Sequence, residues 1–279
     1  MAPGALRHFL GAVLLGLLTI LPQPALPWGD EGHRIIAQLA ERRLHKDTAE
    51  QVRELIGPEG LAAIATWADS IKTERPETRP WHYVDIPLGR RDYAPGRDCA
   101  TPRPGDCLIG ALERWHALLL DPHTDRPTKI EALKFLVHLI GDLHQPLHCI
   151  DNGDRGGNEV LVTFFGETTN SFSQKPWSLH AVWDAALIER AGMTRDRYVA
   201  KLEDLLKKQK PDDLKKGSFR EWALEAHRAA EEVAYKLLPP DKNIGEDYYR
   251  RASLVIGAML AKAGARLARL LNDAFRPRR

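Results

Sequence analysis

The chain has 279 residues, 43% of them hydrophobic, and a formal net charge of +2 with histidine neutral. This length and hydrophobic content are enough for one large core or two modest ones, which excludes a chain too polar to fold. A net charge so close to zero argues neither for nor against a nucleic-acid or membrane partner.

Residues 1–27 have the parts of a secretory signal peptide: a weakly positive start, an apolar stretch over residues 9–21 and a proline-rich end. The apolar stretch is too short to span a bilayer. We expect this segment to be removed, leaving a mature domain of residues 28–279. An uncleaved anchor stays open as an alternative, because residues 25–27 form an imperfect small-x-small cleavage site. No later segment is long and apolar enough to span a membrane, so we expect a secreted or periplasmic protein.

Hydrophobic residues at helical spacing dominate the rest of the chain. They predict helices near residues 35–44, 47–56, 61–71, 108–120 and 128–145, a helix opened by Pro176, and helices near 194–209, 217–237 and 244–275. Extended structure is predicted for Arg79–Pro87, loops for residues 89–106 and 151–158, and a short β-like run for Glu159–Phe165. Since there are no long linkers, repeats or low-complexity tracts, we predict one mostly α-helical domain.

The three cysteines fit an oxidising compartment. Cys99 and Cys107 bracket a loop rich in proline and glycine, which a disulfide could close. Cys149 is left over as a buried thiol, a soft metal ligand or an intermolecular partner, and the buried thiol is favoured.

Residues 135–148, FLVHLIGDLHQPLH, place polar side chains in an apolar run. His138 and Asp142 are four apart and project from nearly the same face of a helix. Pro146 ends the helical pattern, so His148 can turn back toward that face. Burying unpartnered polar groups costs roughly 2–7 kcal/mol each. A metal site held by imidazole and carboxylate is therefore favoured over a buried helix with capped polar groups.

Two further sets of residues extend this pattern. His180 and Asp184 are also four apart on a predicted helix and could form a site with His148. Asp69 and His82 come from separate segments and could join the pair in the central helix on a second ion.

Six motifs occur in one order between Trp28 and Asp184: WGxxGH, WADSIK, WHYVDIP, FLVHLIGDLHQPLH, GDRGGN and LHxxWD. In these motifs the sequence resembles the secreted zinc-dependent nucleases of the nuclease S1/P1 family, which share a fold with bacterial zinc phospholipase C. The resemblance implies an all-α, mainly helical, phospholipase C/nuclease-like single domain with a short β-hairpin-like insertion.

The resemblance also implies three zinc ions. One would be held by Asp69, His82, His138 and Asp142, and a second by His148, His180 and Asp184. The third would be held by His33, by Asp142 as a bridge, and by the α-amino nitrogen and carbonyl oxygen of Trp28. Trp28 can offer its α-amine only when it is the first residue, so signal cleavage would complete the site.

By the same resemblance, the protein would hydrolyse single-stranded RNA and DNA and 3′-mononucleotides to 5′-phosphorylated products. Asp69 would orient a water that two zinc ions activate for attack on phosphorus. Tyr83 would stack on a base, Asp85 would hydrogen-bond it, and Asn158 would close the pocket. Alternatively, Tyr83 fills the core, Asp85 orients His82, and the loop containing Asn158 is only a turn.

Some residues depart from the family pattern or match no ligand position. Ala186 stands where fungal members carry a phosphate-binding asparagine, and Pro27 is an awkward residue before a cleavage site. His144 is at best an indirect partner of the site, and four further histidines match no ligand position: His45, His116, His123 and His227.

Two alternatives stay open, a zinc phospholipase C and a secreted zinc-binding protein without catalysis. The short Trp28–His33 spacing and an aspartate rather than a glutamate at Asp184 argue against the phospholipase. A site with three protein ligands keeps an open coordination position, which argues against the second alternative. We expect a monomer.

Overall fold

The computed structural model describes Met1 and residues 29–99, 105–171, 173–208 and 216–276, and these residues are mainly helical, as predicted. The helices are α1 (Gly29–Glu41), α2 (Lys46–Ile56), α3 (Leu61–Ile64), α4 (Trp67–Ser70), α5 (Pro95–Asp98), α6 (Leu108–Leu120), α7 (Arg126–His144), α8 (Leu179–Ala181), α9 (Leu187–Glu189), α10 (Arg195–Lys207), α11 (Phe219–Ala229) and α12 (Glu246–Ala274). Helices of 3₁₀ type span Pro76–His82 and Pro146–Cys149, and π-helical turns span Val182–Ala186 and Ala230–Tyr235.

Helix α7 lies at the centre of the fold and packs against α1, α6 and α12. It starts after Asp125, whose carboxylate accepts a hydrogen bond from the Thr128 amide at 2.9 Å. Apart from Lys134, every residue from 132 to 144 is buried. A helix that is apolar on nearly all sides must be enclosed by others, which explains its central position.

The chain turns sharply where α7 ends. Pro146 cannot continue the helix, and the Gln145 side chain accepts a hydrogen bond from the Leu147 amide, which starts the 3₁₀ helix Pro146–Cys149. This turn brings His148 back toward the face of α7 that carries Asp142.

Several predicted boundaries were wrong in detail. The first half of the predicted extended segment 79–87 is helical, because Pro76–His82 forms a 3₁₀ helix with prolines compatible with its backbone. The predicted helix 61–71 is divided into α3 and α4, and the predicted loop 89–106 contains α5. The helix predicted to open at Pro176 begins at Leu179, where Ser178 caps it by accepting from the Ala181 amide at 3.1 Å.

The β structure among the described residues is small. The strands β1 (Thr163–Phe164) and β2 (Asn243–Ile244) pair in parallel. Isolated antiparallel bridges join Leu161 to Ser178 and Thr169 to Pro176, which gives the insertion its hairpin-like form. The predicted run Glu159–Phe165 is therefore a strand only at its end.

The predicted disulfide between Cys99 and Cys107 is present and joins the end of α5 to the start of α6. Cys149 is a buried free thiol, the favoured interpretation, and burial raises its pKa well above the usual range.

None of the helices in the described part of the chain combines the length and hydrophobicity needed to span a bilayer. Residues 2–28, which comprise the predicted signal peptide after Met1 together with Trp28, lie outside the described residues.

Candidate metal centre

Eight of the nine predicted metal ligands lie in three neighbouring groups of histidine and aspartate. Within each group, one ligand atom from every residue lies within 4.8 Å of the others. The groups are His33, His138 and Asp142; Asp69, His82 and His138; and His148, His180 and Asp184. The ninth, Trp28, lies outside the described residues.

The first group joins α1 to α7. The His33 and His138 rings stack with centroids 3.9 Å apart, and His33 Nε2 lies 3.5 Å from Asp142 Oδ1. This close approach requires Gly141, because a Cβ at that position would lie 2.5 Å from His33 Nδ1. The glycine therefore makes room for an imidazole against the central helix.

The second group brings α4 and the 3₁₀ helix Pro76–His82 onto the same carboxylate. His82 Nδ1 lies 2.9 Å from Asp142 Oδ2, and His138 Nε2 lies 3.2 Å from the same oxygen. Asp69 Oδ1 lies 3.5 Å from His138 Nε2 and 3.7 Å from His82 Nδ1. Asp142 thus stands between the first two groups, with one oxygen toward each.

The third group forms where the turn after α7 meets α8 and the following π-helical turn. Asp184 lies 3.4 Å from His148 Nε2 and 3.2 Å from His180 Nε2, one carboxylate oxygen to each ring. His148 Nδ1 is also 3.2 Å from Asp142 Oδ1, so this group adjoins the other two. Ala186, the departure from the fungal pattern, is buried at the end of the π-helical turn.

Backbone carbonyls orient three of the site histidines through Nδ1. His138 Nδ1 lies 2.7 Å from the Ala65 carbonyl and His148 Nδ1 lies 2.9 Å from the His82 carbonyl. His180 Nδ1 lies 2.7 Å from the Gly156 carbonyl. An N–H donated to a carbonyl fixes the tautomer and directs Nε2 into the site, as for metal-ligating histidines.

The donors fit a metal ion. Buried His82 Nε2 and His33 Nδ1 have no hydrogen-bond partner among the described residues, although buried polar atoms are normally paired. Imidazole nitrogen and carboxylate oxygen are a donor set that zinc accepts. The described residues therefore contain groups able to hold metal ions.

The pKa values of the site histidines show how strongly the aspartates of the three groups attract positive charge. Burial lowers the pKa of His138, but Asp142 and Asp69 outweigh it and raise the pKa to about 10. Asp142 likewise outweighs burial at His148 and raises its pKa to about 10. Burial lowers the pKa of His82 to about 4. Burial also lowers the pKa of His33, so the site attracts cations and keeps two imidazoles neutral, as metal ligation requires.

An open cavity of about 360 Å³ borders the second and third groups and is lined by all three predicted substrate-binding residues. Tyr83 is 42% exposed and so does not fill the core, the alternative for this residue. Partial burial, Asp151 and Asp98 raise the pKa of Asp85 to about 6. Asn158 donates to the Arg155 carbonyl at 2.9 Å, so its amide also stabilises its own loop.

Two polar residues at the site were missed by sequence reasoning. Lys72 forms an ion pair with Asp69, and their spacing of three on a helical segment could have indicated it. The Gln145 side-chain amide donates to Asp184 Oδ1 at 2.5 Å across 39 residues of sequence. No spacing rule predicts that contact.

The predicted non-ligand histidines belong to none of the three groups. His144 is buried, with Nδ1 2.8 Å from the Ile140 carbonyl and Nε2 2.8 Å from the Arg266 guanidinium. His144, at the end of α7, therefore faces Arg266 of α12.

A mainly helical domain with adjoining His/Asp groups beside an open cavity defines the class of metal-dependent hydrolases. The S1/P1 nuclease family model matches residues 28–276, and the chain belongs to this family. The recognition from sequence motifs is thereby confirmed, and with it the fold class.

Individual relatives agree with this assignment. Endonuclease 4 of Arabidopsis thaliana is 31% identical over 297 residues, which cover 97% of this chain and 96% of the relative. Nuclease S1 of Aspergillus oryzae is 31% identical over 287 residues, covering 90% and 93%. Nuclease P1 of Penicillium citrinum is 30% identical over 174 residues, covering 58% and 59%. Membership of this family makes the chain a nuclease of a metal-dependent class, whose substrates are nucleic acids.

Proposed function

We propose that the protein is a zinc-dependent endonuclease that hydrolyses single-stranded RNA and DNA to 5′-phosphorylated products and also removes phosphate from 3′-nucleotides. The observation that carries the proposal is the meeting of three His/Asp groups beside one open cavity with an exposed aromatic at its mouth. A paired or duplex substrate cannot present a phosphate and its splayed base to such a cavity together.

The proposed ligands divide among three zinc ions. One is held by Asp69, His82, His138 and Asp142; one by His148, His180 and Asp184; and one by His33, Asp142 and the α-amine and carbonyl of Trp28. Zinc, when bound, supplies Lewis acidity, which brings the pKa of water near neutrality and neutralises charge on phosphate oxygens.

Asp69 is proposed to orient the attacking water. Burial raises its pKa, but His138 and Lys72 outweigh burial and keep the carboxylate ionised. Its Oδ2 receives no hydrogen bond from the described residues, so this oxygen is available to accept one from water. Lys72, paired with the other oxygen, holds the carboxylate in place.

The cavity mouth is proposed to bind the nucleobase. Tyr83 supplies a stacking surface that tolerates any base, worth about 1–3 kcal/mol. Asp85 supplies a hydrogen-bonding carboxyl, and Asn158 closes the pocket from the loop opposite. Asp85 forms no hydrogen bond to His82 among the described residues, which favours a role toward substrate over one toward the histidine.

The proposal includes the processing of the chain. Residues 1–27 act as a signal peptide, the nuclease domain comprises residues 28–279, and the product is a secreted or periplasmic monomer. Cleavage before Trp28 is part of the mechanism, because only then does this residue have a free α-amine.

The test uses the protein exported from a secreting host. Native mass spectrometry gives the first residue and the metal count, and cleavage of matched single-stranded and duplex oligonucleotides gives the substrate class. Asp69→Asn is expected to lower the rate by about 100-fold or more. Asp247→Asn, an exposed residue of α12, is the control and should leave the rate unchanged.

A chain beginning at Trp28 with three zinc ions and a preference for single strands is the expected result. Equal cleavage of duplex, products with 3′-phosphates, or hydrolysis of lecithin instead of oligonucleotides would refute the proposed substrate. A metal count of two in an active enzyme would refute the role of Trp28.

A further inference from the structure

The loop 151–158 is held rigidly at the edge of the cavity. The Asp151 carboxylate accepts hydrogen bonds from the amides of Asp154 and Arg155 at 3.2 and 2.9 Å. Asp154 in turn accepts from the Gly157 amide and the Tyr235 hydroxyl, both at 2.8 Å. The loop is therefore a fixed support, and a side chain that projects from it has a defined position.

Arg155 has a backbone conformation that arginine disfavours. Its φ is +58°, in the left-handed region, and Gly156 and Gly157 follow at +60° and +79°. Glycine is the residue usually found in this conformation because it has no Cβ to conflict with the backbone, and asparagine tolerates it because its short polar side chain can hydrogen-bond locally. Such outliers cluster at functional sites, where the surrounding structure holds the strained residue in place.

The Arg155 guanidinium makes only a weak ion pair within the described part of the chain. The side chain is 79% exposed, and its ion-pair contact within the described chain is Glu159, 57% exposed, at the long distance of 4.0 Å. By contrast, Lys72 is 26% exposed and its charge is engaged by Asp69. Arg155 is thus a free cation at the cavity mouth, while Lys72 serves the metal centre.

The position of Arg155 relates it to both the metal centre and Tyr83. The carbonyl of the next residue, Gly156, orients His180, so the backbone at Arg155 is one residue from a partner of the third group. Arg155 and Tyr83 line the same cavity, and burial and Asp85 raise the pKa of Tyr83 while the Arg155 charge offsets part of that rise. A cation beside an exposed aromatic suits a nucleotide whose base stacks and whose phosphate pairs.

We propose that Arg155 binds the phosphate next to the scissile one, and so favours polynucleotides over substrates with a single phosphate. This inference rests on the proposed nuclease function. The phosphate under attack must lie among the buried His/Asp groups. The 79% exposed Arg155 side chain lines the same cavity from its solvent side, so the proposal assigns it the next phosphate along the strand. A planar guanidinium binds phosphate oxygens in pairs, without reading the base.

The test compares two substrates that differ in flanking phosphates. A dinucleoside monophosphate carries only the scissile phosphate, and a single-stranded hexanucleotide carries neighbours as well. For Arg155→Asn, which tolerates the left-handed backbone, the hexamer-to-dinucleotide ratio of kcat/KM should fall about fivefold. The slope of log KM for the hexamer against log salt should become shallower by about 0.7, the value for one contact to a single strand.

Two further variants separate charge from backbone effects. Arg155→Lys keeps the charge and the strained backbone but not the paired donors, so it should retain the salt slope and only part of the ratio. Arg250→Asn removes an exposed arginine of α12 that does not line the cavity, and should leave both unchanged. Zinc content and the melting temperature of each variant check that the site is intact.

Retention of the wild-type ratio and salt slope by Arg155→Asn would overturn the inference while leaving the nuclease proposal standing. An equal loss on both substrates would also overturn it, because that pattern means a disturbed centre. A wild-type protein that cleaves neither substrate would refute the proposed function and the inference with it. If Arg155→Asn fails to fold, Arg155→Gly takes its place, because glycine suits the left-handed backbone and also removes the charge. The same fall in the ratio and in the salt slope is expected, and wild-type values for both would overturn the inference.

Discussion

Gly141 offers a sharp test of the geometry at the metal centre. Replacing an interior helical glycine with alanine normally stabilises a protein by about 0.5–1 kcal/mol, because alanine restricts the unfolded chain. In α7, however, the new methyl group would lie 2.5 Å from His33 Nδ1 and 2.8 Å from its Cε1. The imidazole would have to move by about half an ångström to reach the 3.0 Å that real contacts require.

The displacement has a predictable cost. His33 is stacked on His138, and retreat from α7 opens this stack and lengthens the 3.5 Å approach to Asp142. Overpacking a buried site costs about 1–3 kcal/mol. After the gain in helix propensity, we expect Gly141→Ala to lower the free energy of unfolding by about 1–2 kcal/mol. It should also weaken binding of the metal associated with His33.

The assay is urea denaturation of the metal-free and zinc-loaded proteins, together with zinc stoichiometry. Gly257→Ala in α12 is a matched control, because its methyl group meets nothing within 4 Å and should be stabilising. Gly264→Ala is a second comparison, since its methyl group would meet Leu39 at 2.7 Å without touching the centre. If Gly141→Ala stabilised the protein as Gly257→Ala does, with zinc stoichiometry unchanged, the close packing of His33 on α7 would be refuted.

Three further predictions follow from other contacts. Gln145→Glu keeps the acceptor for the Leu147 amide but replaces the donor to Asp184 with a second carboxylate. The zinc affinity of the third group, measured by chelator competition, should therefore change at least tenfold, whereas Gln174→Glu on the surface should have no effect. In metal-free protein, His138 and His148 have pKa values raised from 6.5 to about 10. Their contribution to stability is therefore complete below pH 6.5 and is lost as the pH rises through 10. Denaturation between pH 7 and 10 should show this decline, and bound zinc should remove it. Replacing Cys99 and Cys107 together by serine should lower the free energy of unfolding by about 2–3 kcal/mol, the value for a disulfide that closes a loop of eight residues. A change under about 1 kcal/mol would mean that the disulfide contributes little.

The sequence was sufficient to predict those features that depend on local spacing. The pairs His138/Asp142 and His180/Asp184 are four apart on helices, and the helical period alone brings each pair to one face. The main helices are predictable for the same reason, since an apolar stripe of helical period must be buried.

Features that depend on tertiary contacts were not predictable. The carbonyls of Ala65 and Gly156 that orient His138 and His180 have no side-chain signature, because every residue carries a carbonyl. The pairing of β1 with β2 joins segments about eighty residues apart and only two residues long, too short for an alternating pattern. Residues 79–82, the second half of the 3₁₀ helix Pro76–His82, were predicted as extended because proline and aromatic residues suit both conformations.

The start of α1 shows why processing of the chain matters to the proposed centre. Gly29, the first residue of the helix, is buried, and a Cβ there would lie 3.2 Å from the Ala185 Cβ and 3.8 Å from the Asp184 carbonyl oxygen. Gly29 is thus packed beside the turn that carries a ligand of the third group. His33 lies one helical turn further on and contacts Asp142. An uncleaved chain would carry an amide at Trp28 where the proposed zinc site needs an amine. Adding one alanine before Trp28 of the processed protein should therefore remove the zinc held with His33 but leave the ion held by His148, His180 and Asp184. Retention of all three ions by the extended chain would refute the role of the α-amine.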